Sequence, residues 1–364
     1  MPLNYTQIAH PSLLRDALIE PSPDAHQGFA YHRIFGLPVA PEGNVARGRA
    51  IDASGQPGVL AGSILVRNER DTFGASSDAA AVAKEIGSPR DVSDRYPMTE
   101  RAFKLAQFDG YAREVLAHLE NGVLSSAQEE EHYARMAASA VHQKLERYCA
   151  DFFQSIAADA SSLKRGGWTE IDWQNDIAGG ALGSSNTTLE VLQAAINQMK
   201  LSAKGKINAI YLPEETMQRF QTDPQILGRI VNGNNWAVAG QGAASPEFVV
   251  AVLKEHLGLE EVIVASGCQI ANNSGQTASN SYIWQNNRLW LGQAGEITMQ
   301  IRGGGSPRVL EGAGGFCGLY TKLFDTDMGP EEKRGPQYFE VTCDTFFDAV
   351  ALNPSKGAIV HNLF

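Results

Sequence analysis

The chain has 364 residues, is 43% hydrophobic, and carries 30 basic against 41 acidic residues for a formal net charge of −11. It holds no Lys/Arg block of five or more, so it is a poor candidate for direct nucleic-acid binding, which rests on neutralising phosphate, and it lacks the polybasic segment of a membrane-surface protein. No apolar run approaches the ~18 residues of a transmembrane helix, Cys149, Cys268, Cys317 and Cys343 form no C-x-x-C metal or redox motif, and an acid and prolines stand where a secretory core would be, which together imply a reducing, cytosol-like compartment.

In chain order, residues 1–45 read as an extended arm punctuated by Pro2, Pro11, Pro21, Pro23, Pro38 and Pro41, with 11–19 the only stretch suited to a short helix. Such an arm cannot bury enough of itself to be stable alone. It is expected to press Leu13, Leu14, Phe29, Tyr31 and Phe35 into a partner surface, serving assembly and adding little to the fold of the subunit. Residues 46–100 read as a long β-excursion with a turn at 53–58, followed by a polar, turn-rich stretch in which Lys84 is the only lysine. Residues 101–122 read as a short helix feeding a long one.

That long helix is the most informative element. From Val123 to Arg165 there is no glycine or proline. Tyr133, Met136, Ala137, Ala140, Val141, Leu145, Tyr148, Cys149, Phe152, Phe153 and Ile156 recur at steps that share one helical stripe. Ser126 with Glu129 makes a capping box, Glu130 and Glu131 favour the positive end of the helix dipole, and Lys164 and Arg165 before Gly166 make a stop. The predicted helix is 126–165; about 40 residues span roughly 60 Å. A lone helix of that length with a narrow buried stripe suits a flat, elongated molecule of a shell or filament. A coiled coil or bundle would want further long periodic segments, and the chain offers none.

After Gly166, WTEIDWQND reads as a brief strand and AGGALGSS as a glycine-rich loop. Thr187 with Glu190 caps a helix that carries Leu189, Leu192, Ile196 and Met199 on one face and closes at Gly205. The texture then turns α/β. INAIYL is an apolar strand, PEETMQRF a helix with an early proline, and Ser245-Pro246-Glu247 opens a helix that ends in glycine. EVIVAS is a second buried strand, SYIWQNNRLWLG a hairpin around residues 285–287, and EITMQIR, QYFEVTC and KGAIVHNLF are further strands.

The motif search assigns no catalytic, cofactor-binding or metal-ligating residue. No G-x-S-x-G, P-loop or H-E-x-x-H occurs. Gly240-Gln-Gly242 lacks the third glycine of a dinucleotide site. Gly303–Gly305 and the run 312–315 open no helix and suit close backbone approach better than phosphate binding. The eight histidines, at 10, 26, 32, 118, 132, 142, 256 and 361, include no i, i+4 pair.

This order of elements resembles the major capsid proteins of tailed bacteriophages, with their Hong Kong 97-type fold, and most nearly the lambda major head protein branch. The more specific stretches are residues 207–230 and 261–295, where Ile283-Trp284, Asn287 and Leu289-Trp290-Leu291 fit the aromatic-rich strand pair of that branch. The resemblance implies an α+β chain organised as an N-terminal arm (1–44), an E-loop (45–98), a P-domain with a long spine helix (99–205 and 306–349) and an axial A-domain (206–305 and 350–364). It implies self-assembly through hexamers and pentamers into an icosahedral head, in the virion after assembly in the host cytoplasm. Partners would be scaffolding, supplied by a separate protein or by a segment already removed, a portal, decoration proteins and weakly held DNA, without a membrane. Nothing marks Lys84 for the cross-link of some family members. The alternatives are an encapsulin-type nanocompartment shell and a cytosolic α/β enzyme using the glycine-rich loops.

Overall fold

The computed structural model describes residues 28–35, 61–67, 98–115, 126–159, 164–178, 181–182, 187–203, 206–232, 243–270, 279–294, 296–302, 308–313, 315–325 and 338–364. In chain order its elements are α1 (Tyr31–Ile34), β1 (Ala61–Arg67), β2 (Met98–Lys104), β3 (Ala106–Val115), α2 (Ser126–Gln154), β4 (Thr169–Asp172), a π-helical turn (Trp173–Ala178) and α3 (Thr188–Ala203). There follow β5 (Ala209–Pro213), α4 (Glu214–Gln221), α5 (Pro224–Asn232), α6 (Pro246–Leu257), β6 (Glu261–Ala265), β7 (Cys268–Ile270), β8 (Asn280–Tyr282) and β9 (Leu289–Gly292). The chain closes with β10 (Glu296–Arg302), β11 (Arg308–Ala313), β12 (Phe316–Asp325), β13 (Tyr338–Ala351) and β14 (Gly357–His361).

A mixed five-stranded sheet, ordered β4-β14-β9-β5-β6, separates two cores. Its inner strands β14, β9 and β5 are apolar on both faces because both are covered. Alternation then decides which core each residue enters. Ala209 and Tyr211 of β5, Trp290 of β9, Ile359 of β14 and Ile263 of β6 join an aromatic core. Their neighbours Ile210, Leu212, Leu289, Leu291, Ala358, Val360 and Val262 join an aliphatic core, filled from the other side by α3, α4 and α6. On the aromatic side, α2 packs across a three-stranded antiparallel sheet, β12-β13-β3. Gly110 of β3 permits the close approach, since a Cβ there would lie 2.1 Å from the Ala137 carbonyl oxygen of α2. A four-stranded antiparallel sheet, β11-β10-β1-β2, and the short β7-β8 pair complete the described structure. No helix among the described residues is long and apolar enough to cross a membrane.

Several sequence expectations are corrected. The long helix ends at Gln154, eleven residues before Arg165. Its 29 residues span ~43 Å at the α-helical rise. The cause is competition for the last-turn carbonyls, which have no intrahelical partner. The Gly166 N–H and the Trp168 Nε1–H both donate to Phe152 O at 3.0 Å, and Arg288 Nη1 donates to Gln154 O at 2.9 Å. The chain thus doubles back onto the helix end instead of extending it.

Residues 101–104 and 106–115 are strand, where a helix was expected. Leu105, Phe108 and Ala112 stand at helical spacing, but only because the strand phase shifts once between Leu105 and Phe108. Past that point Phe108, Gly110 and Ala112 are buried while Gln107, Asp109 and Tyr111 face outward. Residues 116–122 lie outside the described residues. The expected hairpin at 281–292 is a turn between two different sheets. β8 pairs with β7, whereas β9 lies between β14 and β5.

Within the 46–100 section, β1 pairs with β2 and with β10. Residues 46–60 and 68–97, the turn at 53–58 and Lys84 lie outside the described residues. The capping serine of α6 is as expected. Ser245 Oγ accepts the Phe248 N–H at 3.3 Å, Pro246 opens the helix, and Gly258 ends it with a left-handed φ of 67°. In the first turn of α3, the Leu189 N–H donates to Gln225 Oε1 at 2.7 Å.

Candidate functional site

No metal-binding group of three or more His, Cys, Asp or Glu is assembled among the described residues. His32, His132, His142, His256 and His361 are dispersed over α1, α2, α6 and β14. Cys149, Cys317 and Cys343 are buried thiols and Cys268 an exposed one. Of the glycine runs, 303–305 falls between β10 and β11 outside the described residues, as does Gly240-Gln-Gly242. Gly312 lies within β11 and Gly315 just ahead of β12, so neither opens a helix. Glu129, Glu130 and Glu131 fall in the first turns of α2.

What the fold does build is a row of buried polar contacts along α2 that fastens remote segments to it. The first is at Glu146. This side chain is fully buried. It accepts the backbone N–H groups of Ala30 at 2.9 Å and Tyr31 at 2.8 Å and the indole Nε1–H of Trp284 at 2.6 Å. Burial pushes its carboxyl up to about 7, and the three N–H donors offset part of that rise. One turn earlier, buried His142 Nδ1 meets the Tyr31 hydroxyl. The Gly28 carbonyl accepts the Ser266 N–H at 2.9 Å. Phe29, Tyr31 and Phe35 are buried in the aromatic core, and the Phe35 ring lies within 5.4–6.3 Å of those of Phe152, Phe153, Phe316 and Phe347.

Residues 28–35 are therefore an integral plug of the subunit. This overturns the expectation that residues 1–45 add little to its fold. Residues 1–27, with Leu13 and Leu14, and 36–45 lie outside the described residues.

The second contact is at Asp348 of β13, 1% exposed. Its carboxylate accepts the Lys104 N–H at 3.0 Å, the Tyr148 hydroxyl at 2.7 Å and the Lys164 ammonium at 2.6 Å. Burial first, then the adjoining carboxylate, pushes the Tyr148 phenol up. The third closes the end of α2. Gln154 Oε1 accepts the Gln285 N–H at 2.6 Å, its Nε2 donates to the Gln285 and Arg288 carbonyls, and Arg288 Nη1 meets Asp159 Oδ2 at 2.5 Å. The Arg288 hydrogen bond is the main reason the Asp159 carboxyl sits below its ordinary range.

Sequence reasoning named the apolar stripe of α2 and passed over Glu146 and His142. The signal was present: positions 142, 146, 149 and 153 follow one another at helical steps of four, three and four. Two ionisable side chains therefore sit in line with the buried Cys149 and Phe153.

No family model and no curated protein sequence matches this chain. Solved structures do. A phage-related protein of Bordetella bronchiseptica superposes over 98% of this chain and 98% of its own, at 11% identity and a TM-score of 0.54. A virus-like particle from Pyrococcus furiosus aligns over 96% and 98% at 9% identity and a TM-score of 0.49. A cyanophage capsid aligns over 87% and 86% at 10% identity and a TM-score of 0.46. The first likeness runs from end to end of both chains and establishes a shared mixed helix-and-sheet fold with the phage-related protein.

Proposed function

We propose that this chain is a major capsid protein that self-assembles into the icosahedral head of a tailed phage. The carrying observation is the end-to-end fold likeness to a phage-related protein, over 98% of each chain. It agrees with the resemblance of residues 207–230 and 261–295 to the Hong Kong 97-type capsid proteins. Fold alone does not dictate function, so the internal organisation matters as well.

In this reading residues 1–44 are the arm, 45–98 the E-loop, 99–205 with 306–349 the P-domain, and 206–305 with 350–364 the axial A-domain. The spine helix is α2, and β1 of the E-loop is rooted in the body through its pairing with β2 and β10. β4 and α3 precede residue 206 yet share the five-stranded sheet and its aliphatic core. The formal charge of −11 suits a wall that confines DNA without gripping it. The partners are further copies of the chain, with scaffolding, portal and decoration proteins, and the destination after assembly in the host cytoplasm is the virion.

The test is cryo-electron microscopy of the purified full-length chain, alone and co-expressed with candidate scaffolding. Closed shells or hexameric and pentameric rings are expected. Discrete particles of one to four subunits under both conditions would overturn the proposal.

A further inference from the structure

The N-terminal plug is held by an unusual arrangement. Glu146 is a carboxylate with backbone and indole donors and, among the described residues, no Lys or Arg in an ion pair with it. Around it stand Ala30 and Tyr31 of the plug, Trp284, and Cys149 of its own helix, with Gly267 packed at its Cγ and His142 one turn earlier on α2, against the Tyr31 hydroxyl. His32 and Arg33 follow along the plug itself. Three N–H donors favour an ionised acceptor, two of them on Oε1, which keeps accepting as the carbonyl oxygen when Oε2 is protonated, whereas complete burial without a counter-charge favours the neutral acid and outweighs them. The two tendencies conflict at one side chain, and that side chain ties the backbone of residues 28–35 to the body.

We propose that docking of residues 28–35 onto α2 is proton-coupled through Glu146, so that the plug is held more tightly with the carboxyl protonated and released more readily when it is ionised. The device stands within one subunit and holds whether or not the chain assembles. The direction follows from linkage. With the plug docked, burial raises the carboxyl from an ordinary 4.5 to about 7. With the plug displaced, the carboxyl is hydrated and returns toward 4.5. A group whose pKa is raised on docking contributes stability that is fully present below the lower value and is lost as pH rises through the upper one. The window is therefore from 4.5 to about 7, and the docking equilibrium changes across it by at most ~300-fold.

Hydrogen exchange of the full-length chain tests this, read at the Ala30 and Tyr31 amides and corrected for the intrinsic rate at each pH. Protection of these two amides is expected to fall by ~10²-fold from about pH 5 to about pH 8, with amides of α3, which packs into the other core, as an internal reference that does not follow. Glu146→Gln should abolish the slope. His142→Gln should retain it, which separates Glu146 from the neighbouring imidazole. Should Glu146→Gln not fold, Trp284→Phe supplies the independent reading. It removes one donor from the carboxylate, so the midpoint should move to higher pH while the plug stays docked. A flat profile in the wild type, a slope that survives Glu146→Gln or vanishes in His142→Gln, or an unmoved midpoint in Trp284→Phe would each overturn the proposal.

Discussion

The two cores on either side of the five-stranded sheet are built on different principles. The aliphatic core is largely local: Ile171 through Val262 supply most of it, with returns at Leu289, Leu291, Ala358, Val360 and Leu363. Its helices are short and amphipathic, with side-chain caps at Ser245 on α6 and Asp223 on α5. The aromatic core is assembled from Phe29, Phe108, Phe153, Trp168, Tyr211, Trp290, Phe316 and Phe347, drawn from almost the whole length of the chain. Phe153 is its centre, with ring centroids of Trp290, Phe316 and Tyr211 at 5.0, 5.1 and 5.2 Å. Buried polar contacts fasten it, at Glu146, Asp348 and Gln154. Local periodicity builds the first core; long-range closure builds the second.

If that contrast is right, the aromatic side should fail first when remote pieces are removed. Deleting residues 1–36 strips Phe29, Tyr31 and Phe35 from the core. At ~1.5–3 kcal/mol for each buried aromatic side chain, the loss should reach ~5 kcal/mol or more and leave an insoluble or molten chain by near-ultraviolet circular dichroism. Deletion of residues 1–27 should retain a cooperative melt; equal melting of both truncations would break the contrast.

Phe153→Ala should cost ~3–5 kcal/mol by denaturant unfolding, against ~2–5 for Leu192→Ala in the aliphatic core. The sharper discriminant is shape. Phe153→Ala should loosen β9, β12 and the plug together in hydrogen exchange, and Leu192→Ala only α3 and its neighbours. Asp348→Ala leaves the Lys104 N–H and the Tyr148 hydroxyl without their acceptor and should cost ~1–3 kcal/mol, with Lys164, 25% exposed at its side chain, able to turn to water. The smallest effect belongs to the local side. Ser245→Ala should lower stability by ~1 kcal/mol and Ser245→Gly by only a few tenths, without disturbing the aromatic core. A larger cost at Ser245 than at Asp348 would reverse the proposed order.

The same contrast explains what was legible in advance. The sequence by itself determined α3, α6, β5, β6, β10 and β14, because apolar spacing, capping serine and glycine, and short buried runs act within a few residues of where they are written. It also placed the start of α2 at Ser126 and most of its stripe. Tertiary structure decided the rest. Helix propensity would carry α2 to Arg165, but Phe152 O and Gln154 O are claimed by Gly166, Trp168 and Arg288. Helical spacing at Leu105, Phe108 and Ala112 yielded to pairing with β13, whose register sets Phe108 opposite Thr345. The turn at 285–288 is local, but the separation of β8 and β9 into two sheets depends on strands far away in the chain. The role of Glu146 was written as one charged residue in an apolar stripe. Only closure of the fold brings it Ala30 and Tyr31 from 116 and 115 residues away, since a hydrogen bond between such distant positions leaves no periodic trace in the sequence.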